Sequence, residues 1–252
     1  MTIIAYDNKL AAALFTDVLG ATVNNGFNLA RWNDTRYPTT LAPVGGAYTV
    51  EADLGAAFPC STFILGAHQY AQSGARFVGG TVSVQYWSGV AWVVALAATA
   101  INALPTQTAA FSFTAMTAQR WRFIFTGLPV GQPLIPEMFL GDAIQFVNPE
   151  YGQDLSKPTA KINRLDTEAG RIYESRYYQR VEIHPSWSQL TVTEASALIA
   201  FRAFYSKLRI PFWITTIDGL ETLLMREKSN SIPITQQSPI HYTASLMLVE
   251  AI

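Results

Sequence analysis

Val82, Val84 and Tyr86 alternate with Ser83, Gln85 and Trp87, the period of two that a strand with one buried face requires. Ser88-Gly89 breaks the run and "VAWVVAL" resumes it, so Thr81 to Leu96 is expected to form a β-hairpin. The same grammar holds up to about Pro149: "AYTVEADL", "STFILGA", "AAFSFTA" and "RWRFIFTG" are short strand candidates separated by Gly, Pro, Ser and Asn. Almost no helical periodicity lies between them. Strands at this spacing predict a sandwich or barrel and argue against a doubly wound α/β fold.

The polar stretch "FVNPEYGQDLSKP" marks a boundary, giving a β-sandwich over 1–149 and a second domain over 150–252. In the second domain, "GRIYESRYYQRVEIHP" is rich enough in aromatic and β-branched residues for a strand pair. Thr191-Val192-Thr193-Glu194 has the spacing of a capping box. Ala195, Leu198, Phe201, Tyr205 and Leu208 then recur in steps of three and four, predicting a helix over about 193–209 with one buried face. Pro211 must follow its end, because the proline ring disfavours helical geometry at Ile210. "FWITTI", a turn at Asp218-Gly219, "ETLLMRE" and a closing "HYTASLMLVEAI" are expected to be strands. The expected second domain is a β-sheet or small barrel carrying one helix, with Phe201, Tyr205, Phe212 and Trp213 in its core.

Charge narrows the function classes. Charged residues make up 14% of the chain, well below the roughly 25% of ordinary soluble domains. Either uncharged polar residues cover the surface, or contacts with other subunits hide part of it. The formal net charge is -1, with six basic against eight acidic residues before Tyr151 and eleven against ten from there on. No basic footprint of a nucleic-acid binder is present. The apolar stretch from Val90 to Ile101 is too short to cross a bilayer as a helix, and the first residues lack the basic and apolar regions of a secretory signal. Synthesis in a cytoplasm and no membrane insertion are therefore expected. The single cysteine, Cys60, allows no intrachain disulfide and reads as a small buried hydrophobe.

Residues that carry chemistry are sparse. His68, His184 and His241 are isolated, with no metal-binding spacing between them. No nucleophile elbow or phosphate-binding loop occurs, and "GARFVGG" lacks a following helix. Glu51 and Asp53 share a strand face, whereas glycosidase carboxylates normally come from separate elements across a cleft. No enzyme activity, cofactor or metal is expected. Aromatic residues beside polar ones in two loops, Trp32, Arg36 and Tyr37 in "NLARWNDTRYPTT" and His68, Tyr70 and Arg76 in "GAHQYAQSGARF", suit a sugar, which has an apolar face and a hydroxyl rim. The other reading of the same residues has Trp32 plugging the bottom of the sandwich and its polar neighbours tying down loops.

Over residues 1 to about 145 the chain resembles the discoidin, or galactose-binding-like, jelly roll found in many tailed-phage proteins. The resemblance is carried by "NLARWND", by Asp53, Leu54 and Gly55, by Leu65, Gly66 and His68, and by Trp121 and Arg122 on a late core strand. The second half is similar to the tube-like domain of siphophage distal tail and lambda-type minor tail proteins, through "YYQRVEIHPSW", "EASALIAFRAFYSKLR", the abrupt "IPFWI" and "LMLVEAI". These resemblances imply a mainly β chain, a galactose-binding-like jelly roll followed by an α+β tail-tube-like domain. They also imply a structural role in the tail tip of a virion: a homo-oligomeric ring, usually hexameric, joining the tail tube to the baseplate or hub. The alternative is a module that binds a carbohydrate of the host surface.

Overall fold

The structure, a computed structural model, describes residues 2–19, 39–40, 47–66, 80–101, 108–127, 134–135, 137–146, 159–166, 172–215, 222–229 and 232–251. The protein is mainly β, with one α-helix among the described residues. Two compact units share the chain: one takes residues 3–144 and 213–223, the other residues 1–2, 145–212 and 224–252.

Two strands of unusual length organise the first unit, Ala47–Gly66 and Ala109–Thr126. Each fuses two of the short candidates seen in the sequence. They pair antiparallel from Ala47↔Thr126 to Asp53↔Arg120, from Phe58↔Ala118 to Cys60↔Met116 and, after a second shift of register, from Thr62↔Ser112 to Leu65↔Ala109. Between the first two stretches the register shifts, and Gly55 takes φ +75°, a left-handed conformation that glycine adopts without steric cost. The Asp53 carboxylate accepts a hydrogen bond from the Gly55 amide at 2.8 Å and fixes the bend. The hairpin Thr81–Trp87 and Trp92–Ala100 extends one arm, pairing Thr81 to Tyr86 with Thr126 to Trp121. Leu14–Leu19 flanks the same arm on its far side. Glu137–Gly141 flanks the other arm, beside Thr62 to Gly66.

About 40 Å of extended strand would separate Val50 from Phe63. Val50 pairs with Phe123, yet the rings of Phe63 and Phe123 stack with centroids 4.9 Å apart. Hence the paired strands turn a corner, and their two arms face each other as a β-sandwich. Val50, Phe63, Val84, Trp121, Phe123 and Leu140 meet in one buried cluster between the arms. Asn8 ties the 3₁₀ turn Lys9–Ala12 to this scaffold: its side chain donates to the Met138 carbonyl at 2.9 Å and accepts from the Leu140 amide at 3.1 Å. Also within this unit, Ile4 pairs with Ile214 and Ala5 with Trp213.

The helix of the second unit spans Val192–Leu208 and opens with a complete capping box between Thr191 and Glu194. It ends where Arg209 turns left-handed, at φ 51°, and donates its amide to the Tyr205 carbonyl. Its buried face carries Ala195, Leu198, Phe201 and Tyr205. Phe201 and Tyr205 meet Phe212 edge to face, with centroids 4.8 and 5.6 Å away. The Tyr205 hydroxyl accepts from the Glu227 amide at 3.0 Å and donates to the Glu227 carbonyl. Burial raises the pKa of that hydroxyl above the ordinary tyrosine value.

Three small antiparallel groups complete this unit. Ser186–Leu190 pairs with Tyr242–Ser245, which pairs with Ile234–Gln236. Leu248–Glu250 lies between Glu182–Ile183 and the end of Thr222–Glu227. Thr159–Asp166 and Ile172–Arg180 form a ribbon of their own. Of the two expected forms, the open sheet is the one present, since no sheet among the described strands closes into a barrel. The expected closing strand divides in two, because Leu246 leaves the ladder to donate its amide to the Pro185 carbonyl.

Candidate functional site

Alternation along the first unit's strands decides which side chains leave the core. Val50 and Ala52, Trp121 and Phe123, and Val82 and Val84 are buried, so Glu51 and Asp53, Arg120 and Arg122, and Ser83, Gln85 and Trp87 belong to the opposite face. Register then sets them side by side. Glu51 lies opposite Arg122, Arg122 opposite Gln85, and Gln85 opposite Val94, one row across four strands. Asp53 lies opposite Arg120, and Trp87 opposite Trp92.

The Arg122 guanidinium donates through Nε and Nη2 to Glu51 Oε1, at 2.9 and 2.5 Å. Arg120 donates from Nη2 to the other oxygen, Oε2, at 3.2 Å. Arg122 also lies over the Trp92 ring, 4.0 Å from its centroid, while Arg120 stands 5.6 and 5.5 Å from the centroids of Trp87 and Trp92. The two indoles meet edge to face at 5.5 Å. Asp53 accepts from the Gln119 amide at 2.9 Å. That bond, the one from the Gly55 amide and the charge of Arg120 hold its carboxyl below the usual carboxylate range. Two aromatic planes, two guanidinium groups and ionised acceptors thus share a rigid sheet face, an arrangement suited to binding a polar ligand that has one flat apolar side.

The loop residues picked out by sequence, Trp32, Arg36, Tyr37, His68 and Tyr70, lie outside the described residues, as does Arg76. Glu51 and Asp53 do share a face, but both oxygens of Glu51 are engaged by Arg120 and Arg122, and Oδ1 of Asp53 by the Gln119 side chain and the Gly55 amide. Trp121 is fully buried and donates its indole N–H to the Ala118 carbonyl at 3.1 Å. Phe201, Tyr205, Phe212 and Trp213 are buried as well. His184 and His241 are exposed, and no group of three or more metal-ligating side chains occurs among the described residues. Cys60 is buried, and desolvation pushes its thiol up to about 12. The Trp87, Trp92, Arg120 and Arg122 face was missed in the sequence. Its signal was a period of two in aromatic and charged residues on strands whose pairing partners lie far apart.

No protein-family model and no curated protein matches the chain. Among solved structures, it is similar to the CBM32-1 and CBM32-2 domains of Clostridium perfringens ZmpB, at 14% identity over 55% of this chain and 36% of that one, with a TM-score of 0.44. Chitosan-binding module 1 of a chitosanase/glucanase from Paenibacillus sp. IK-5 is similar at 17% identity over 54% of this chain and 100% of the module, with a TM-score of 0.42. SpGH29 is similar at 13% identity over 54% of this chain, with a TM-score of 0.42, and only 28% of its own length is spanned.

Proposed function

We propose that the first compact unit is a carbohydrate-binding module whose sheet face presents Trp87 and Trp92 to a glycan of a host surface. The observation that supports this is the ion-paired cluster of Glu51, Arg122 and Arg120 beside the two indoles. A pyranose has an apolar face for an indole and hydroxyls for the carboxylate and guanidinium groups around it. Binding of this kind needs no acid, base or nucleophile, and the chain is proposed to act without catalysis. A glycan array probed with the wild-type protein and with Trp92→Ala tests the reading. Wild-type binding lost in a variant with an unchanged urea midpoint supports it; no wild-type binding to any glycan rejects it.

A second reading, a structural component of a bacteriophage tail tip within the virion, is favoured by a different observation. Trp92–Ala100 is the last strand of its sheet and carries no charged residue, and Val93 and Val94 are exposed. Edge strands of monomers are usually guarded by charge, proline or bulges; this edge has two irregularities in its pairing with Thr81–Trp87 but neither charge nor proline, and subunits of a ring bury such edges against one another. The ring, usually hexameric, would join the tail tube to the baseplate or hub. Light scattering across a range of concentrations decides this: a closed oligomer several times 27.7 kDa supports the ring, and a monomer throughout rejects self-assembly of the isolated chain.

A further inference from the structure

We infer that the ligand of this sheet face carries a carboxylate: an acidic sugar whose ring lies against Trp87 or Trp92 and whose acid group is held by Arg120. The inference rests on the carbohydrate-binding reading and narrows it to one class of glycan.

Donor and acceptor capacity on the face is unequal. Both oxygens of Glu51 are taken, Oε1 twice by Arg122 and Oε2 by Arg120. Arg122 is committed inward, with its side chain 23% exposed, two of its nitrogens on Glu51 and its plane over Trp92. Arg120 is not. Its side chain is 44% exposed and makes a single hydrogen bond, the 3.2 Å contact with Glu51, whereas a guanidinium carries five N–H donors. The neighbouring Asp53 does not take them up: its Oδ1 accepts from the Gln119 side chain and the Gly55 amide, and it forms no ion pair with Arg120 within 4 Å.

Arg120 and Arg122 share the face with the Glu51 and Asp53 carboxylates, so the charges balance; what is left unused is the hydrogen-bonding capacity of Arg120, the more exposed of the two arginines. A guanidinium with unused parallel donors matches a carboxylate in a two-point contact, stronger and more directional than its bond to a hydroxyl. The flanking indoles, centred 5.5 and 5.6 Å from the Arg120 guanidinium, supply an apolar plane about one sugar ring away from that charge.

The test is calorimetric binding of oligogalacturonate, oligomannuronate and sialyllactose, each beside its methyl ester, which keeps the ring and removes the charge. Arg120→Gln and Trp92→Ala are measured in parallel, with urea midpoints as folding controls. At least one acid should bind tenfold or more tightly than its ester, Arg120→Gln should bring the two within about threefold, and Trp92→Ala should weaken both. Equal binding of acid and ester, or binding of neutral glycans alone on the array, overturns the carboxylate inference and leaves the carbohydrate reading standing. A preference for acid that survives Arg120→Gln overturns the assignment to Arg120. Binding of no glycan, acidic or neutral, overturns both.

Discussion

Phe63 and Phe123 stack at 4.9 Å with their planes 24° apart, although the ladder pairs Phe63 with Phe111, and Phe123 with Val50 and Val84. The contact is made across the sandwich and not along a strand, so it reports whether the two arms close. Phe63→Ala is expected to cost about 3–5 kcal/mol by opening a cavity between layers. Phe111→Ala, at a half-buried position in the same strand pair, should cost less. Urea unfolding of the two variants checks the order, and a Phe63→Ala midpoint equal to wild type would mean that the arms do not meet there.

Gly55 holds φ +75°, and a Cβ added to it would meet nothing within 4 Å. Only the backbone term should then be felt. Gly55→Ala should cost about 1–2 kcal/mol, and Gly55→Asn less, because asparagine tolerates the left-handed region. A larger loss with asparagine than with alanine would show that the bend depends on something other than φ.

The capping box of the helix can be taken apart. Thr191 Oγ1 accepts from the Glu194 amide at 3.3 Å, and the Glu194 carboxylate accepts from the Thr191 amide at 2.9 Å. Thr191→Ala should cost about 1 kcal/mol. Because the Thr191 hydroxyl also donates to Glu194 Oε2 at 2.8 Å, the double variant Thr191→Ala/Glu194→Ala should lose less than the sum of the single losses. Strict additivity in chemical denaturation would contradict that coupling.

Burial raises the Cys60 thiol from an ordinary 9.0 to about 12. In the folded chain the neutral form is favoured, so the unfolded chain loses its proton first as pH rises. The stabilising contribution of the neutral thiol is complete below about 9 and is lost progressively as the pH climbs towards about 12. A Cys60→Ala variant should show a shallower decline of stability across that window. In the native protein at pH 8, thiol reagents should label Cys60 only at the rate of unfolding, and rapid labelling would contradict the burial.

Local chemistry was readable from the chain alone. The Ser88-Gly89 break between two alternating runs locates the turn of the Thr81–Ala100 hairpin, where the Ser88 amide donates to the Ala91 carbonyl at 3.0 Å. Thr191, Glu194 and the apolar steps from Ala195 to Tyr205 locate the helix, because a cap and a helical face are written within a few residues. The two long strands were not legible, since "DLGAAFPC" looks like a break until Phe58 is seen to regain its pairing with Ala118. Nor was the sheet face: Glu51 and Arg122 stand 71 positions apart, and no period within one strand shows which residue of another will stand opposite. The same limit applies to Ile4 and Ile214, which pair although nearly the whole chain lies between them.

The bend after Asp53 also governs where this chain can change length. Ala47–Gly66 and Ala109–Thr126 each run through both layers without interruption, so inserting or deleting one residue near Val50 or Phe123 would exchange the inward and outward sides of everything beyond it. At Gly55, Ala56 and Ala57 the chain is exposed and outside the paired register, and an added residue there can be taken up by a wider bulge. Among relatives of this fold, the corner is where length variation should accumulate, while the two arms keep their residue count and drift only in the identity of their side chains.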